Sequence, residues 1–415
     1  MKRKVRHVLL LTDAYPPEIR SSSTLMQELA AGLLARGYSV TVLATYPSYN
    51  LTPGDRRRFA RVIPNLVTTE EGIRVVRVPT PPLHNVGAFL KGFSQGTLPL
   101  ILSAAGALLN DVDAVVVYSP PLPLGLVAAA LKVRFGARVV FNVQDLFPQN
   151  AIDLGVLKSP LLIRMFEAIE SASYRTADVI TCHSEGNIDW LRRHPALLER
   201  PDDVRPIHNW VDVDQYQETA PDPSVRARLG LADRFVFFFG GVMGYAQELD
   251  TVVEAARCLK DRDDLAFLLV GDGVEKAGLV ERARGLDNVI FHPFVSPGEY
   301  VRWLRSMDCG LVTLRAEMKT PVVPSKILGF MAAGVPYVAL LNPESDARAM
   351  TREGRCGILA DPKDVDATVA ACLRLASDPQ SARAMGSRGL AYCRKHFSRD
   401  TCIDKYHGIL QSFGN

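Results

Sequence analysis

The sequence predicts an α/β protein made of two doubly wound parallel-sheet domains facing one another across a cleft. Three observations carry that expectation. Along 415 residues, apolar runs of strand length alternate with longer amphipathic runs of helix length, and the series occurs twice. A polar stretch between Asp212 and Arg234, with Pro221 and Pro223, separates the two series and reads as a linker. The residues with unusual chemistry gather at the carboxyl ends of the expected strands, where open parallel sheets bind ligands.

The first half starts with a strand over Val5–Leu11 and a turn at Tyr15-Pro16-Pro17-Glu18. Ser21-Ser22-Ser23-Thr24 is expected to cap a helix running to about Arg36, closed by Gly37 before a strand over Ser39–Thr45. A strand–helix–strand unit of this kind implies parallel pairing. Further strands are expected at Ile73–Val78, Ala114–Tyr118, Arg138–Val143 and Val179–Cys182. Helices are expected near Leu122–Arg134 and Pro160–Thr176.

The second half begins with Phe235–Phe239, a nearly continuous apolar run of the kind buried on both faces of a sheet. Strands at Leu265–Val270, Val289–Phe291, Cys309–Leu314 and Tyr337–Leu341 continue it, with a helix from about Leu249 to Lys260. Helices near Val365–Ala376, Ser381–His396 and Thr401–Phe413 finish the chain. Within this half, Pro324 ends an irregular stretch, and Ser325 is placed to cap a short helix opening with Lys326. Gly334 and Pro336 end that helix.

Composition excludes several function classes. Hydrophobic content of 47% and charged content of 22% are those of an ordinary globular protein. A net charge of +3 is too balanced for nucleic acid to be the main partner. The seven cysteines are scattered without a C-x-x-C pair, which points to a reducing, cytoplasmic setting and away from disulfides or zinc. No secretory signal is expected, because the first apolar run is only a strand long. The apolar window from Val86 to Leu109 is broken by Lys91, Gln95 and Pro99 and reads as a buried helix pair or a lipid-dipping surface rather than a span. Basic runs stand at Lys2-Arg3-Lys4 and at Arg56-Arg57-Arg58 with Arg61, and they are either solvated or suited to anionic headgroups.

The candidate chemistry is phosphate binding. A helix start with a lysine in its first turn offers partial positive charge, free N–H groups and a full charge together. Two glycine turns at strand ends, Gly240-Gly241 with Gly244 and Gly271-Asp272-Gly273, let backbone approach a ligand and direct N–H groups at oxygens. With the Ser325-Lys326 helix start, they favour a nucleotide diphosphate site in the second half. No G-x-G-x-x-G follows the first strand, which weighs against a nicotinamide dehydrogenase. D-x-D occurs at Asp111, Asp212 and Asp364, in three unrelated settings, so no essential metal is expected.

Several runs taken together resemble the retaining GT-B glycosyltransferases of family 4, in the branch of bacterial surface-polysaccharide enzymes. They are Tyr15-Pro16-Pro17-Glu18, Gln144-Asp145-Leu146-Phe147-Pro148, Asn209-Trp210-Val211-Asp212, Gly240-Gly241-Val242-Met243-Gly244, Gly271-Asp272-Gly273 and Pro324-Ser325-Lys326-Ile327. The resemblance implies two Rossmann-like domains: an acceptor-binding domain over 1–212, a nucleotide-sugar-binding domain over 213–396, and a terminal helix over 397–415 crossing back to the first. It implies a donor site drawn from Gly241, Gly244, Gly271, Gly273, Val295, Pro324 and Ser325, with Ser22 standing where relatives bring a glycine to the phosphates. Lys326 would carry the leaving-group charge, helped by Lys319 or Arg315, and Gln144-Asp145 would sit where relatives keep a His-Asp pair at the donor sugar.

The chain also departs from that pattern. Two glutamates that relatives place eight positions apart correspond to Pro321 and Gly329, and a diphosphate-clamping Arg and Lys correspond to Val242 and Gln247. Glu317 or Asp145 is then the expected substitute at the sugar. The implied activity is metal-independent transfer with retention from a nucleotide-sugar, UDP more than GDP, and no cofactor. The implied acceptor is a lipid-linked or other saccharide, with peripheral contact at the inner membrane leaflet. The alternatives are a nucleotide-sugar 2-epimerase of the same fold and a non-catalytic nucleotide-binding partner subunit.

Overall fold

A computed structural model describes residues 4–63, 66–81, 88–153, 155–319 and 321–414. Lys2 and Arg3 of the first basic run, and the start of the apolar window at Val86, lie outside them. The chain forms two units, residues 1–209 with 400–415, and residues 210–399.

The first unit runs β1 (His7–Thr12), α1 (Ser21–Ala35), β2 (Ser39–Thr45), α2 (Pro53–Arg58), β3 (Leu66–Glu70), β4 (Ile73–Val78) and α3 (Ala88–Ala107). It continues with β5 (Ala114–Ser119), α4 (Leu124–Phe135), β6 (Arg138–Val143), α5 (Gln149–Asp153), α6 (Pro160–Thr176), β7 (Val179–Cys182), α7 (Glu185–Arg192) and β8 (Val204–Pro206). The strands order as β3-β4-β2-β1-β5-β6-β7-β8. All pairs are parallel except β3 with β4. The central strands β1 and β5 are almost wholly buried aliphatic residues because helices cover both faces of the sheet.

The second unit runs α8 (Val213–Glu218), α9 (Pro223–Arg228), β9 (Phe235–Val242), α10 (Leu249–Cys258), β10 (Leu265–Asp272), α11 (Lys276–Arg282) and β11 (Val289–His292). Then follow α12 (Pro297–Arg305), β12 (Cys309–Thr313), α13 (Lys326–Ala333), β13 (Tyr337–Leu340), α14 (Ala347–Gly354), β14 (Gly357–Ala360), α15 (Val365–Ser377) and α16 (Pro379–Phe397). The last helix, α17 (Arg399–Ser412), belongs to the first unit from Asp400 onward. The sheet is wholly parallel, in the order β11-β10-β9-β12-β13-β14. Along β9 the phenylalanines alternate between two cores, Phe237 and Phe239 on one face and Phe238 on the other, as a strand's two-residue period requires. The strand order reverses between β1 and β5 in one sheet and between β9 and β12 in the other, which marks the ligand-binding edge of each.

Two expectations fail here. The stretch from Asp212 to Arg234 is no open linker, because it folds into α8 and α9, each started by an aspartate that caps it: Asp212 accepts from Gln215 N at 3.0 Å and Asp222 from Ser224 N at 3.0 Å. Pro223, read as a breaker, is the first residue of α9, where a missing N–H costs nothing. Ser21–Thr24 do not cap α1 either. All four lie inside it, and Arg20 occupies the cap position without a side-chain capping bond.

Candidate donor site and strand-end chemistry

In the second unit, the ends of β9 and β10 pack backbone on backbone. Gly271 has φ +146°, and a Cβ there would stand 1.9 Å from the carbonyl oxygen of Gly241. Gly273 has φ +151°, and its Cβ would stand 2.3 Å from the oxygen of Met243. These two glycines let the two strand-end loops lie against each other, and Met243 N donating to Asp272 O at 2.8 Å ties them. Gly244 follows in a turn closed by Gln247 N donating to its carbonyl at 2.9 Å.

Gly241, with φ +142°, makes room for a different group. A Cβ there would lie 2.9 Å from Cε and 3.3 Å from Nζ of Lys326. The lysine side chain therefore folds back from the first residue of α13 onto the end of β9. Its Nζ stands 4.9 Å from the centre of the Phe239 ring, a cation–π approach. Desolvation pulls the ammonium pKa down from 10.5 to about 8. Among the described residues no carboxylate pairs with it. A desolvated cation without a counter-charge favours an anionic ligand.

The start of α13 differs from expectation in one respect. Ser325 is already helical (φ −58°, ψ −24°), and its side chain makes no capping bond. Ile327 N donates to Pro324 O at 3.1 Å and Leu328 N to Ser325 O at 3.2 Å. No described residue accepts from the amides of Ser325 or Lys326, so two donors remain at the helix start beside the ammonium. At the other end Gly334 takes a left-handed conformation (φ +72°) and closes the helix as expected. Pro324 is half-buried and Ser325 exposed.

The remaining second-unit candidates are spread over neighbouring loops. Lys319 is exposed, with no described partner. Glu317 is exposed and bonded to Lys363 Nζ at 2.6 Å, which holds its carboxyl below the usual range. Arg315 Nη2 stands 3.9 Å from Glu275. Val295 packs against the core beside the exposed Phe294. One residue escaped the sequence reading. Glu248, just before α10, is buried; burial raises its pKa although the backbone N–H of Ala316 bonds to it. Its only signal in the sequence is an acidic residue at a helix start.

In the first unit, Ser22 lies in the first turn of α1, half-buried. Arg20 just ahead of it pairs with Asp13 at 3.0 Å and Glu18 at 3.1 Å. Glu18 in turn accepts from the amides of Ser48 at 2.8 Å and Tyr49 at 2.9 Å. Buried Arg77 donates to Pro16 O at 2.6 Å and pairs with Glu70, so the Tyr15–Glu18 turn is pinned from both sides. Gln144 is engaged at both polar ends: it donates to Asn142 Oδ1 at 2.5 Å and accepts from Asn209 Nδ2 at 2.6 Å. Asn142 also bonds the Tyr406 hydroxyl from α17. Asp145, next along, reaches solvent, and desolvation by the surrounding protein raises its pKa. His183, at the end of β7, is pushed down to about 4 by burial and by His208.

One aspartate of each D-x-D has a structural partner. Asp113 accepts from Arg6 N and His7 N, both at 2.9 Å; Asp212 caps α8, and Asp364 caps α15. No group of three or more candidate metal ligands occurs among the described residues.

Comparison with known families now bears on this geometry. Residues 22–210 match the glycosyl transferase 4-like domain, and residues 233–378 match the family described as glycosyl transferases group 1. Each half of the chain thus matches a glycosyltransferase family, and the two-unit fold is of the GT-B type. Among curated relatives, a putative colanic acid biosynthesis glycosyl transferase, WcaI of Escherichia coli K12, is 26% identical over 88% of this chain and 90% of its own length. Among solved structures, sucrose-phosphate synthase from Thermosynechococcus elongatus superposes with a TM-score of 0.73 at 16% identity, covering 98% of both chains. Anabaena HepE in complex with UDP superposes at 0.67 and 16% identity, covering 98% of this chain and 100% of that one.

Within this glycosyltransferase one departure from the expected pattern has a local cause. A Cβ at Gly329 would meet the Tyr216 hydroxyl at 3.2 Å and Leu304 at 3.8 Å, so α8 fills the space from which a glutamate there would start. Val242 is exposed and uncharged at the end of β9. Gln247 accepts a long bond from Thr313 Oγ1 at 3.4 Å. Two cations stand at the strand-order reversal: Lys326 over Gly241, and Arg315, whose amide donates to Ala246 O at 3.0 Å.

Proposed function

We propose that this glycosyltransferase moves a sugar from a nucleotide-diphosphate donor, UDP-linked rather than GDP-linked, to a hydroxyl of a lipid-linked saccharide or similar acceptor. Transfer proceeds with retention and without a metal or other cofactor, in surface polysaccharide biosynthesis. The observation that carries the reading is Lys326, seated over Gly241 and Phe239 at the start of α13 with no described counter-charge. The WcaI name in colanic acid biosynthesis supports the pathway class, and the HepE complexes with UDP and UDP-glucose support the donor class.

The chemistry follows from the leaving group. Breaking the anomeric C–O bond loads negative charge onto the diphosphate. The Lys326 ammonium and the amides of Ser325 and Lys326 stabilise that charge more in the transition state than in the ground state. Removing one such donor costs about 3–4 kcal/mol of the barrier. The glycine turns through Gly241, Gly244, Gly271 and Gly273 are assigned to the diphosphate, and Val295 to the base. Lys319 supplies a second charge, and Asp145, Gln144 and Glu317 are the groups assigned to the sugar. With retention, a donor phosphate oxygen receives the acceptor's proton on the face that the leaving group vacates, so no protein base is needed.

Product analysis tests the proposal. A UDP-sugar plus a lipid-linked saccharide should give a glycoside with the donor's anomeric configuration, in the presence of a chelator. An epimer formed from the donor alone, or nucleotide binding without turnover on any donor–acceptor pair, would refute it.

A further inference from the structure

The β1–α1 loop leaves the carboxyl end of β1 at the strand-order reversal of the first unit, so its shape decides what that edge can receive. Two clasps hold it. Glu18 Oε1 accepts from the amides of Ser48 and Tyr49 beyond β2, at 2.8 Å and 2.9 Å, and Ile19 N donates to Asn50 O at 3.3 Å. The second clasp is Arg77, near the end of β4. At 2% exposure it is the least exposed charged side chain among the described residues.

Arg77 Nη2 donates to Pro16 O at 2.6 Å and to Glu70 at 3.1 Å. Nη1 donates to Glu70 at 2.6 Å and to Thr68 Oγ1 at 2.9 Å. The guanidinium carbon stands 5.9 Å from the ring centre of Tyr15, in the loop, and 5.6 Å from that of Phe59, just after α2. One planar cation thus joins three segments: β3 through Glu70 and Thr68, the β1–α1 loop through Pro16 and Tyr15, and the end of α2 through Phe59. Burying such an ion pair adds little to stability, because desolvation offsets most of the attraction. An apolar side chain of the same size could fill the space. It could not hold a carboxylate and a main-chain carbonyl together in one fixed plane. The rings of Pro16 and Pro17 fix φ at both positions, so a shift at the Pro16 carbonyl passes along the turn instead of being absorbed.

We propose that Arg77 is a positioning residue for the acceptor. By fixing Tyr15 and Pro16 it sets the β1–α1 loop in the shape that receives the acceptor saccharide, while it is itself too buried to touch one. The role rests on the proposed transfer reaction, with the acceptor taken by the first unit, and is separate from the donor chemistry of the second.

Three variants of the full chain test it. Arg77→Lys offers a single ammonium that cannot bridge Glu70 and Pro16 O as a rigid fork. Arg77→Met/Glu70→Met replaces the ion pair by apolar side chains and should stay folded. Thr68→Val removes a guanidinium partner that lies outside the loop. Hydrogen exchange on the ligand-free proteins reads the loop directly. The amides of Glu18 and Ile19, which donate to Tyr15 O and Asn50 O, should exchange roughly tenfold faster in the first two variants and at the wild-type rate in Thr68→Val. In steady-state transfer from a UDP-sugar to a lipid-linked saccharide, the acceptor KM should rise on the order of tenfold in the first two. Their kcat and UDP affinity should stay within about twofold of wild type, and Thr68→Val should leave the acceptor KM unchanged. Unchanged loop exchange, or an unchanged acceptor KM in folded Arg77→Lys, overturns the proposal. So does an equal rise in KM in Thr68→Val, which would mark general loosening, or a matching loss of UDP affinity, which would place the loop at the donor. No transfer by the wild-type chain would strike the proposed function and this role with it, whereas failure of the role alone leaves wild-type transfer intact.

Discussion

On the proposed reading, Lys326 should make UDP binding a proton-linked event. In the free protein its pKa is pulled down to about 8 by desolvation. A diphosphate beside it would favour the charged form and lift that value again. The terminal phosphate of UDP, with a second pKa of about 6, is ionised to about nine-tenths at pH 7 and almost wholly at pH 8, so proton uptake from pH 8 upward reports on the lysine. Binding should take up about half a proton at pH 8 and about nine-tenths at pH 9. Affinity should accordingly fall roughly tenfold per pH unit above pH 8. Calorimetry in buffers of different ionisation enthalpy reads the uptake directly. Lys326→Met should abolish it and leave an affinity that no longer changes across that range.

The same group has a stability consequence of known sign. Between pH 8 and 10.5 the unfolded chain binds the proton that folded Lys326 has released, so its contribution to stability rises with pH across that window. Below it, holding the charge costs at most about 3 kcal/mol, reduced by about 1 kcal/mol for the Phe239 ring. Lys326→Met should therefore stabilise the ligand-free protein at pH 7 by about 1–3 kcal/mol and much less near pH 10.5. A binding event without proton uptake at pH 8, or a Lys326→Met variant with unchanged pH dependence, would refute the assignment.

Three further outcomes follow from single contacts. Gly271→Ala places a Cβ 1.9 Å from Gly241 O at φ +146°, so urea unfolding should show a loss of about 2–4 kcal/mol. Gln144→Leu leaves the side-chain amides of Asn142 and Asn209 without a shared partner, and should cost about 1–3 kcal/mol in thermal unfolding. Glu317→Gln removes the charge partner of Lys363 in an exposed pair, so stability should change by less than about 1 kcal/mol. A rise in the donor KM in that variant would mark the carboxylate as a sugar contact.

The parallel strands were legible because burial on both faces leaves continuous apolar runs, and β2, β4, β6 and β7 fall where those runs begin and end. β3 was not. Its hairpin to β4 turns through Glu71 (φ +50°) and Gly72 (φ +83°), and a glutamate at the first position hides a turn that Asn-Gly would have announced. α9 was missed because Pro223 suits a first helical position as well as a loop. At the candidate donor site the glycine turns and the lysine could be read locally, but not that Gly271 and Gly273 serve strand-end packing while Gly241 clears space for Lys326. The engagement of Gln144 depends on Asn209, and that of its partner Asn142 on Tyr406, residues distant in the sequence that only the folded chain brings together.

The most direct test is a crystal of the full chain grown with UDP. The account predicts a diphosphate within hydrogen-bonding distance of Lys326 Nζ and of the Ser325 and Lys326 amides, above Gly241. Clear density for UDP elsewhere, with Lys326 still folded onto Phe239 and no anion beside it, would contradict it.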